Sequence, residues 1–323
     1  MKKVILPILI AVVALAVIFG VIKAVNKNSS KDSSDKKETV ESEDSSDSKD
    51  KSENATDSPD GKFHSKVLPD SKGHAPEGTT LEDLFGQRFE PMDEILKSDF
   101  FDPVMQFDDV ILPIDGTATV GDLLDILSES SNAINYVFYS TKTDGNFELE
   151  EFRDVMKDVT ISACNSTGDF GFISISISNW GYASIDFNNY TDQELSALDC
   201  TVNQVLPGGL AKENMFLGGG FRMDGEGITK DEFLKEYLKD YEFGGEKTLP
   251  NDKTPMLNRY FTWPDNNEIV LYIPTDRTTP KGIRLDRTYK FVFDEEDRFS
   301  YSSIKFDPHA FHYAEENGET AEE

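Results

Sequence analysis

The chain has 323 residues, of which 37% are hydrophobic and 29% charged, and its formal net charge at pH 7 is −29. So acidic a chain argues against a nucleic-acid partner, because phosphate binding depends on clustered lysine and arginine side chains. With only four histidines and two cysteines, the sequence predicts no catalytic, cofactor-binding or metal-binding set of residues.

The first element along the chain is an apolar segment, residues 4–22, which holds no charged residue and has lysines on both sides. As a helix it would be about as long as the hydrocarbon core of a bilayer is thick. We therefore predict a signal-anchor transmembrane helix over residues 1–26, in a single-pass cell-membrane protein whose C-terminal part is extracytoplasmic. The alternative is a signal peptide cleaved after Ala16, although cleavage there would leave an apolar stretch on the mature chain.

A polar region follows the apolar segment. Residues 27–78 consist mainly of Ser, Asp, Glu and Lys. Because such a composition buries too little apolar surface to offset the entropy of ordering, it predicts a disordered linker that acts as a tether. The last residues, 314–323, are predicted to form an acidic tail.

Helices are indicated by capping boxes. Thr79 with Glu82 predicts a helix over residues 81–89, and after Pro91 a second helix is expected over residues 92–100. Both lie at the start of the region that has enough apolar residues to build a core.

Two later helices share a signature. Thr119 stands three residues before Asp122, and Thr229 stands three residues before Glu232. Each pair follows an apolar stretch with an Asp-Gly turn and precedes strand-rich sequence, so we interpret the pattern as a diverged internal duplication. The predicted fold class is α+β, with two modules that each place a helix on an antiparallel sheet of their own. The modules are expected to span residues 79–205 and 206–313.

Strands are indicated by alternating apolar residues. Residues 173–177 and 183–187 alternate on either side of a turn, and residues 289–293 and 299–306 repeat the arrangement. Both patterns predict β-hairpins, whose short connections require antiparallel pairing. Further strands are expected at residues 197–205 and 268–274.

The glycine-rich segment before the later helix, residues 218–233, resembles the corresponding part of modules similar to the β-lactamase inhibitor protein and the small outer-membrane assembly lipoproteins. The order of anchor, spacer and tandem modules is similar to that of uncharacterised membrane-anchored extracellular proteins of low-GC Gram-positive bacteria. Residues 199–202, with Cys200 beside an acidic residue, fit the same layout. The resemblance covers roughly residues 105–306, and it implies a binding role and brings no catalytic residues.

The sharpest candidate for a metal site is a sequence like the second half of a calcium loop. In residues 144–152, Gly145 and Glu151 stand where the turn glycine and the bidentate ligand would be. The first half of the segment does not match a calcium-binding loop, because Lys142 occupies a position that requires a carboxylate. We therefore interpret this segment as a turn or the start of a helix.

Other candidate sites are weaker. Ser302 and Lys305 match a Ser-x-x-Lys pattern, but they lie in an alternating strand and not at a helix start. His309 and His312 are two ligands at most, and the cationic run at residues 277–290 is typical of a solvated hairpin edge.

The two cysteines allow two interpretations. Cys164 and Cys200 could form a disulfide in an oxidising compartment, or they could be two small buried apolar side chains. The sequence alone leaves both open.

The function predicted from this organisation is that of a membrane-anchored extracytoplasmic binding or sensory protein of the cell envelope, and not an enzyme. Its expected partners are the membrane, through the N-terminal helix, and a peptide or protein. The alternative is a cell-wall-active hydrolase that uses paired carboxylates, with Trp180 and Trp263 lining a cleft.

Overall fold

A mixed sheet of nine strands dominates the computed structural model, which describes residues 60–70, 75–163, 170–177, 180–246, 258–276 and 285–308. Of these residues, 38% lie in strands and 27% in helices, so the sheet and not the helices determines the architecture. All of them belong to one compact unit within residues 55–323.

The strands follow from the alternating apolar pattern, and the α-helices and 3₁₀ turns are short. The α-helices are α1 (Leu81–Phe85), α2 (Asp93–Lys97), α3 (Val120–Ser128), α4 (Leu149–Asp158) and α5 (Lys230–Tyr237), and 3₁₀ turns lie at Ala133–Asn135, Ala197–Asp199, Gly209–Asn214, Gly218–Gly220, Gly225–Gly227 and Pro264–Asn266. The strands are β1 (Val104–Phe107), β2 (Val110–Pro113), β3 (Tyr136–Ser140), β4 (Thr160–Ile161), β5 (Phe170–Ile177), β6 (Trp180–Asn188), β7 (Leu195–Ser196), β8 (Thr201–Pro207), β9 (Met215–Leu217), β10 (Phe221–Arg222), β11 (Glu242–Glu246), β12 (Arg259–Trp263), β13 (Glu268–Ile273), β14 (Leu285–Phe293) and β15 (Phe299–Pro308).

The order of strands in the large sheet is β11-β12-β13-β14-β15-β8-β6-β5-β3. Neighbouring strands are antiparallel, except β11 and β12, which run parallel. A four-stranded sheet, in the order β10-β9-β1-β2, and a small pair, β4-β7, complete the strand pairing of the described residues.

One face of the large sheet forms the core. Because side chains alternate between the two faces of a strand, residues that are paired across strands form continuous rows. One such row crosses seven strands, and its side chains are all buried. In order across the sheet, the row contains Ser140, Ile173, Ile185, Val205, Ile304, Tyr289 and Leu271.

The helices and the smaller sheet pack on this same face. Phe152 of α4 stacks on Phe138 at a centroid distance of 5.1 Å, and Phe233 of α5 contacts Phe291 at 4.6 Å. The four-stranded sheet contributes Phe107, which contacts Tyr136. These contacts belong to one continuous hydrophobic core.

The predicted fold class is therefore wrong, because the helices do not rest on two separate sheets. Strand β8 of the first half pairs with β15 of the second half through Val205 with Ile304 and Gln204 with Lys305, which joins all nine strands. The physical reason is that an unpaired edge strand exposes backbone donors and acceptors, and pairing two such edges satisfies them. The sequence predicts each hairpin, but it does not show which edge strands of the two halves pair with each other.

The local elements agree better with the sequence. The two predicted hairpins are confirmed as β5-β6 and β14-β15, both antiparallel. The capping boxes at Thr119 and Thr229 are confirmed, since each hydroxyl accepts a hydrogen bond from the amide three residues on. The first helix is capped by Thr80 and not Thr79, and it ends at Phe85 because Gly86 takes a left-handed conformation.

No helix in the described ranges is both long and apolar enough to cross a membrane. The predicted anchor, residues 1–26, lies outside those ranges, as do residues 27–59 of the predicted linker and the acidic tail. Anchoring therefore stays a prediction from the sequence.

Residues 60–70 pack against the sheet, although the predicted linker extends to residue 78. Phe63 is buried, and its amide donates a hydrogen bond to Oδ1 of Asn135 at 2.6 Å. The indole of Trp180 donates to the carbonyl of Val67 at 3.1 Å. The folded body thus includes chain that precedes residue 79.

Candidate functional site

The buried row of the sheet continues into a groove at its β11 edge. Beyond Leu271 the row reaches Tyr260 and then Phe243, and exposure rises until Phe243 is 51% exposed. Here α5, β11 and β12 enclose an open groove of about 420 Å³. Its lining consists of Lys230, Leu234, Phe243, Glu246, Tyr260, Thr262 and Pro264.

Helix α5 is held rigidly as one wall of the groove. Its residue Phe233 is fully buried in a cluster of aromatic rings, which fixes the rotation of the helix. The next residue, Leu234, is only partly buried and lines the groove. The rings within 6.2 Å of Phe233 are those of Phe100, Phe221, Tyr237, Phe291, Phe293 and Phe299.

The aromatic surface of the groove is formed by Phe243 and Tyr260. Their ring centroids lie 5.3 Å apart with an interplanar angle of 40°. A half-exposed phenylalanine packed on one side only leaves apolar surface in water, and such surfaces are common in binding sites. This pair is therefore the main recognition feature of the groove.

In strand β11, Phe243 is followed by two glycines, each of which the local structure requires. A Cβ at Gly244 would lie 2.4 Å from the ring of Phe261, so glycine is needed for that ring to pack. Gly245 has a φ of 116°, and the register with β12 shifts at this point. Three hydrogen bonds from Arg259 to Glu242, at 2.9 to 3.0 Å, connect the strand to β12.

The described residues that line the groove include one cation, Lys230, and one carboxylate, Glu246. The ammonium of Lys230 donates to Oδ1 of Asn267 at 2.7 Å and lies 5.7 Å above the ring of Phe293, so it is already engaged. Within the described ranges, no cation pairs with the carboxylate of Glu246. Glu246 is the acidic residue among those that line the groove.

The structure separates the residues that the sequence suggested as sites. Asp144 lies in a turn, Phe147 pairs with Phe138, and α4 begins at Leu149, so residues 144–152 form a turn followed by a helix start. No group of three or more metal-ligating side chains occurs in the part of the chain that the structure describes.

The Ser-x-x-Lys pair is also separated. Ser302 faces the core and contacts the sulfur of Met223 at 3.2 Å, whereas Lys305, an odd number of residues away on the same strand, points to the opposite face. Arg287 and Lys290 are likewise on opposite faces of β14. His309 and His312 lie outside the described residues.

The cysteine question stays open. Cys200 is fully buried, and its thiol donates to the carbonyl of Ser196 at 3.5 Å. Cys164 lies outside the described residues, so a bridge between them remains a prediction. Trp180 is buried beneath residues 60–70 and, like Trp263, is not part of the groove lining.

Sequence reasoning missed a buried acidic cluster at the β1-β2 turn. Asp108, with a φ of 54°, is fully buried and accepts hydrogen bonds from the hydroxyl of Tyr136 at 2.7 Å and from the amide of Asn132 at 3.1 Å. Burial raises the pKa of Asp108 to about 7, although both hydrogen bonds oppose the shift. Burial also raises the pKa of Tyr136 well above its ordinary value.

The neighbouring carboxylate behaves in the opposite way. Burial alone would raise the pKa of Asp109, but hydrogen bonds from Ser131 and Ser130 outweigh it and lower that pKa. Asp108 and Asp109 follow directly after a strand of four residues, and such a pair is usually a solvated turn. The only sequence signal was that this turn joins two short apolar strands.

Comparison of the chain with protein-family models, with curated proteins and with solved structures gives no match. The resemblance of residues 218–233 to inhibitor-like modules therefore stays a prediction.

Proposed function

We propose that this protein is a binding protein of the cell envelope, anchored by the apolar segment at residues 4–22, that holds a segment of a peptide or protein partner in the groove beside α5. The pair formed by the half-exposed Phe243 and the partly buried Tyr260 carries this proposal. The seven residues of the row from Ser140 to Leu271 are buried, and its end at the β11 edge presents the rings of Tyr260 and Phe243 to a ligand.

Two features support side-chain recognition over addition of a strand to the sheet. Strand β11 is bulged at Gly245 and carries the charged residues Glu242 and Glu246, and both features discourage pairing of an edge strand with another chain. The groove, in contrast, has room for a side chain between Leu234 and the two rings. The partner would therefore insert a side chain and leave the edge strand unpaired.

The chemistry of the groove also suggests the kind of segment. An aliphatic or aromatic side chain would contact Phe243 and Tyr260, and a lysine or arginine beside it would pair with Glu246. The net charge of −29 favours the approach of a cationic segment over long distances. The proposed ligand is thus a polypeptide segment with an apolar residue next to a basic one.

Hydrolysis by paired carboxylates is supported less well. Such a reaction needs two carboxyl groups on either side of the substrate bond. Among the described residues that line the groove, Glu246 alone carries a carboxylate. Binding is therefore the function that we propose.

The test is selection from a random peptide library displayed on phage, with the full-length chain in detergent as the target. We expect selected peptides to combine an apolar and a basic residue. Their affinity should fall about 10- to 30-fold with Phe243→Ala, the usual effect of truncating a central aromatic anchor. Glu246→Gln should weaken binding less and should reduce its dependence on salt.

The matched control is Leu68→Ala, which removes another exposed apolar side chain, 61% exposed and outside the groove lining. Peptides should bind this variant as they bind the original chain. Selected peptides that bind the Phe243→Ala variant with undiminished affinity, or a selection that yields none dependent on the groove, would contradict the proposal.

A further inference from the structure

Arg287 of β14 differs from the other arginines that the structure describes. Each of the others pairs with a carboxylate at a distance of 2.6 to 3.9 Å, and they are Arg88, Arg153, Arg222, Arg259 and Arg298. Within the described ranges Arg287 has no such pair, although the chain contains 61 Asp and Glu residues. Its Nε is buried and has no hydrogen-bond partner in that part of the chain. Because a buried donor without an acceptor costs free energy, this side chain is a candidate for binding a ligand.

The immediate surroundings of Arg287 are largely apolar. It pairs across the sheet with Ile273 of β13 and Phe306 of β15, and side chains that are paired in this way lie on the same face. Along its own strand, the guanidinium carbon lies 5.6 Å from the centre of the Tyr289 ring. Phe306 and Tyr289 are buried, whereas Arg287 is only partly buried, so the cation lies at the margin of the core where solvent reaches it.

A second hydrogen-bond donor, the hydroxyl of Tyr241, lies near this cation. The ring of Tyr241 packs on Phe101 at a centroid distance of 5.2 Å, and the ring of Tyr289 packs on the same phenylalanine at 5.2 Å. Burial raises the pKa of Tyr241, and the positive charge of Arg287 opposes that shift, so the two side chains are neighbours. The hydroxyl of Tyr289 donates to the carbonyl of Phe101 at 2.9 Å, whereas that of Tyr241 has no partner among the described residues.

Two carboxylates lie near the tyrosines without pairing with Arg287. Burial raises the pKa of Tyr289, and the charge of Asp102 raises it further, while the charge of Asp240 adds to the effect of burial on Tyr241. The carboxylate of Asp102 accepts a hydrogen bond from the amide of Asp99 at 2.8 Å. Within the described structure, the guanidinium of Arg287 is therefore left without an acidic partner even though acidic residues are close by.

We propose that Arg287 and Tyr241 bind a carboxylate that is attached to an apolar group. The two Nη groups of an arginine form a fork that fits the two oxygens of a carboxylate, and the hydroxyl of Tyr241 adds a further donor. The apolar part of the ligand would contact Ile273 and the neighbouring rings. A phosphate dianion fits less well, because the net charge of −29 repels its second negative charge. This site is separate from the groove and does not depend on the ligand proposed there.

The experiment is fluorescence anisotropy on the full-length chain in detergent, with a dye-labelled peptide of glycine and serine that ends in phenylalanine. The peptide is made with a free C-terminal carboxylate and with a C-terminal amide, and it has no basic residue for the groove. We expect the carboxylate form to bind about tenfold more tightly, because it alone can accept from the arginine fork. Competition by 3-phenylpropionate distinguishes two sources of the carboxylate. Displacement at the same concentration as unlabelled peptide assigns a small organic acid, and weaker displacement assigns the C-terminus of a polypeptide.

Arg287→Gln should abolish the preference for the carboxylate form, and Arg287→Lys, which keeps the charge without the fork, should retain only part of it. Should the arginine variants fail to fold, Tyr241→Phe keeps the test decisive, because it removes one hydroxyl and should reduce the preference about threefold. Arg298→Gln is the matched control, since Arg298 is 57% exposed and already pairs with Glu296. Equal affinity of the original chain for the two peptide forms, or a preference that both Arg287→Gln and Tyr241→Phe leave unchanged, would overturn the proposal.

Discussion

Replacing Phe233 by alanine should destabilise both halves of the nine-stranded sheet by the same amount. Phe233 lies on α5 in the second half, and its ring contacts span from Phe100, before β1, to Phe299 on β15. Two tryptophans report on the halves separately, since Trp180 belongs to β6 and Trp263 to β12. Because β8 pairs with β15 and the core is continuous, we expect one transition and not two.

The expected magnitude comes from the burial of the ring. Phe233 is fully buried among six other aromatic rings, and a change from phenylalanine to alanine at such a site costs about 3–5 kcal/mol. With a urea slope of about 3 kcal/mol per molar, the midpoint should fall by roughly 1 M or more. The same substitution at Phe243, which is half exposed, should change stability by about 0.5 kcal/mol or less.

The assay is urea unfolding followed by fluorescence in two single-tryptophan backgrounds, Trp180→Phe and Trp263→Phe. Phe233→Ala is added to each background, and its effect is taken relative to that background. Equal shifts of the two transitions would support one shared sheet. A shift of the Trp263 transition with the Trp180 transition unmoved would refute the reasoning and restore two independent modules.

Two further predictions concern stability. Thr119→Ala and Thr229→Ala each remove a capping hydroxyl and should each lower the unfolding free energy by about 1 kcal/mol, and chemical denaturation that shows no loss for either would contradict the capping geometry. Because the pKa of Asp108 rises from 3.8 to about 7 on folding, its contribution to the unfolding free energy should fall by about 4 kcal/mol between pH 4 and pH 7. Asp108→Asn should lack this component, and an identical pH dependence of the unfolding free energy in the two proteins would argue against the buried carboxyl.

The elements that could be predicted from the sequence are those set by local contacts. The β5-β6 hairpin follows from alternation across a short turn, and the caps at Thr119 and Thr229 depend on residues three positions apart. The hairpin and the caps depend on residues that are close together in the sequence. The pairing of β8 with β15 joins Val205 to Ile304, and nothing local in either strand specifies that partner.

The buried carboxyl could not be predicted for a similar reason. Asp108 and Asp109 are adjacent in a turn and alike in sequence, yet their pKa values move in opposite directions. The difference arises because Asp108 is fully buried, so that loss of hydration outweighs its hydrogen bonds from Tyr136 and Asn132, whereas Asp109 is only partly buried and its hydrogen bonds from Ser130 and Ser131 prevail. Only the packing of β1-β2 against β3 distinguishes them.

The groove depends on two features, the position at which helix α5 ends and the position that strand pairing gives to β11. Helix α5 packs through Phe233 on Phe291 of β14 and Phe299 of β15, whereas β11 lies three strands beyond β14 in the sheet. The end of helix α5 near Tyr237 is set by residues close to it in sequence, whereas the position of β11 at the edge of the sheet is set by strand pairing. Phe243 lies at that edge because of the strand pairing, which no local pattern in residues 242–246 specifies.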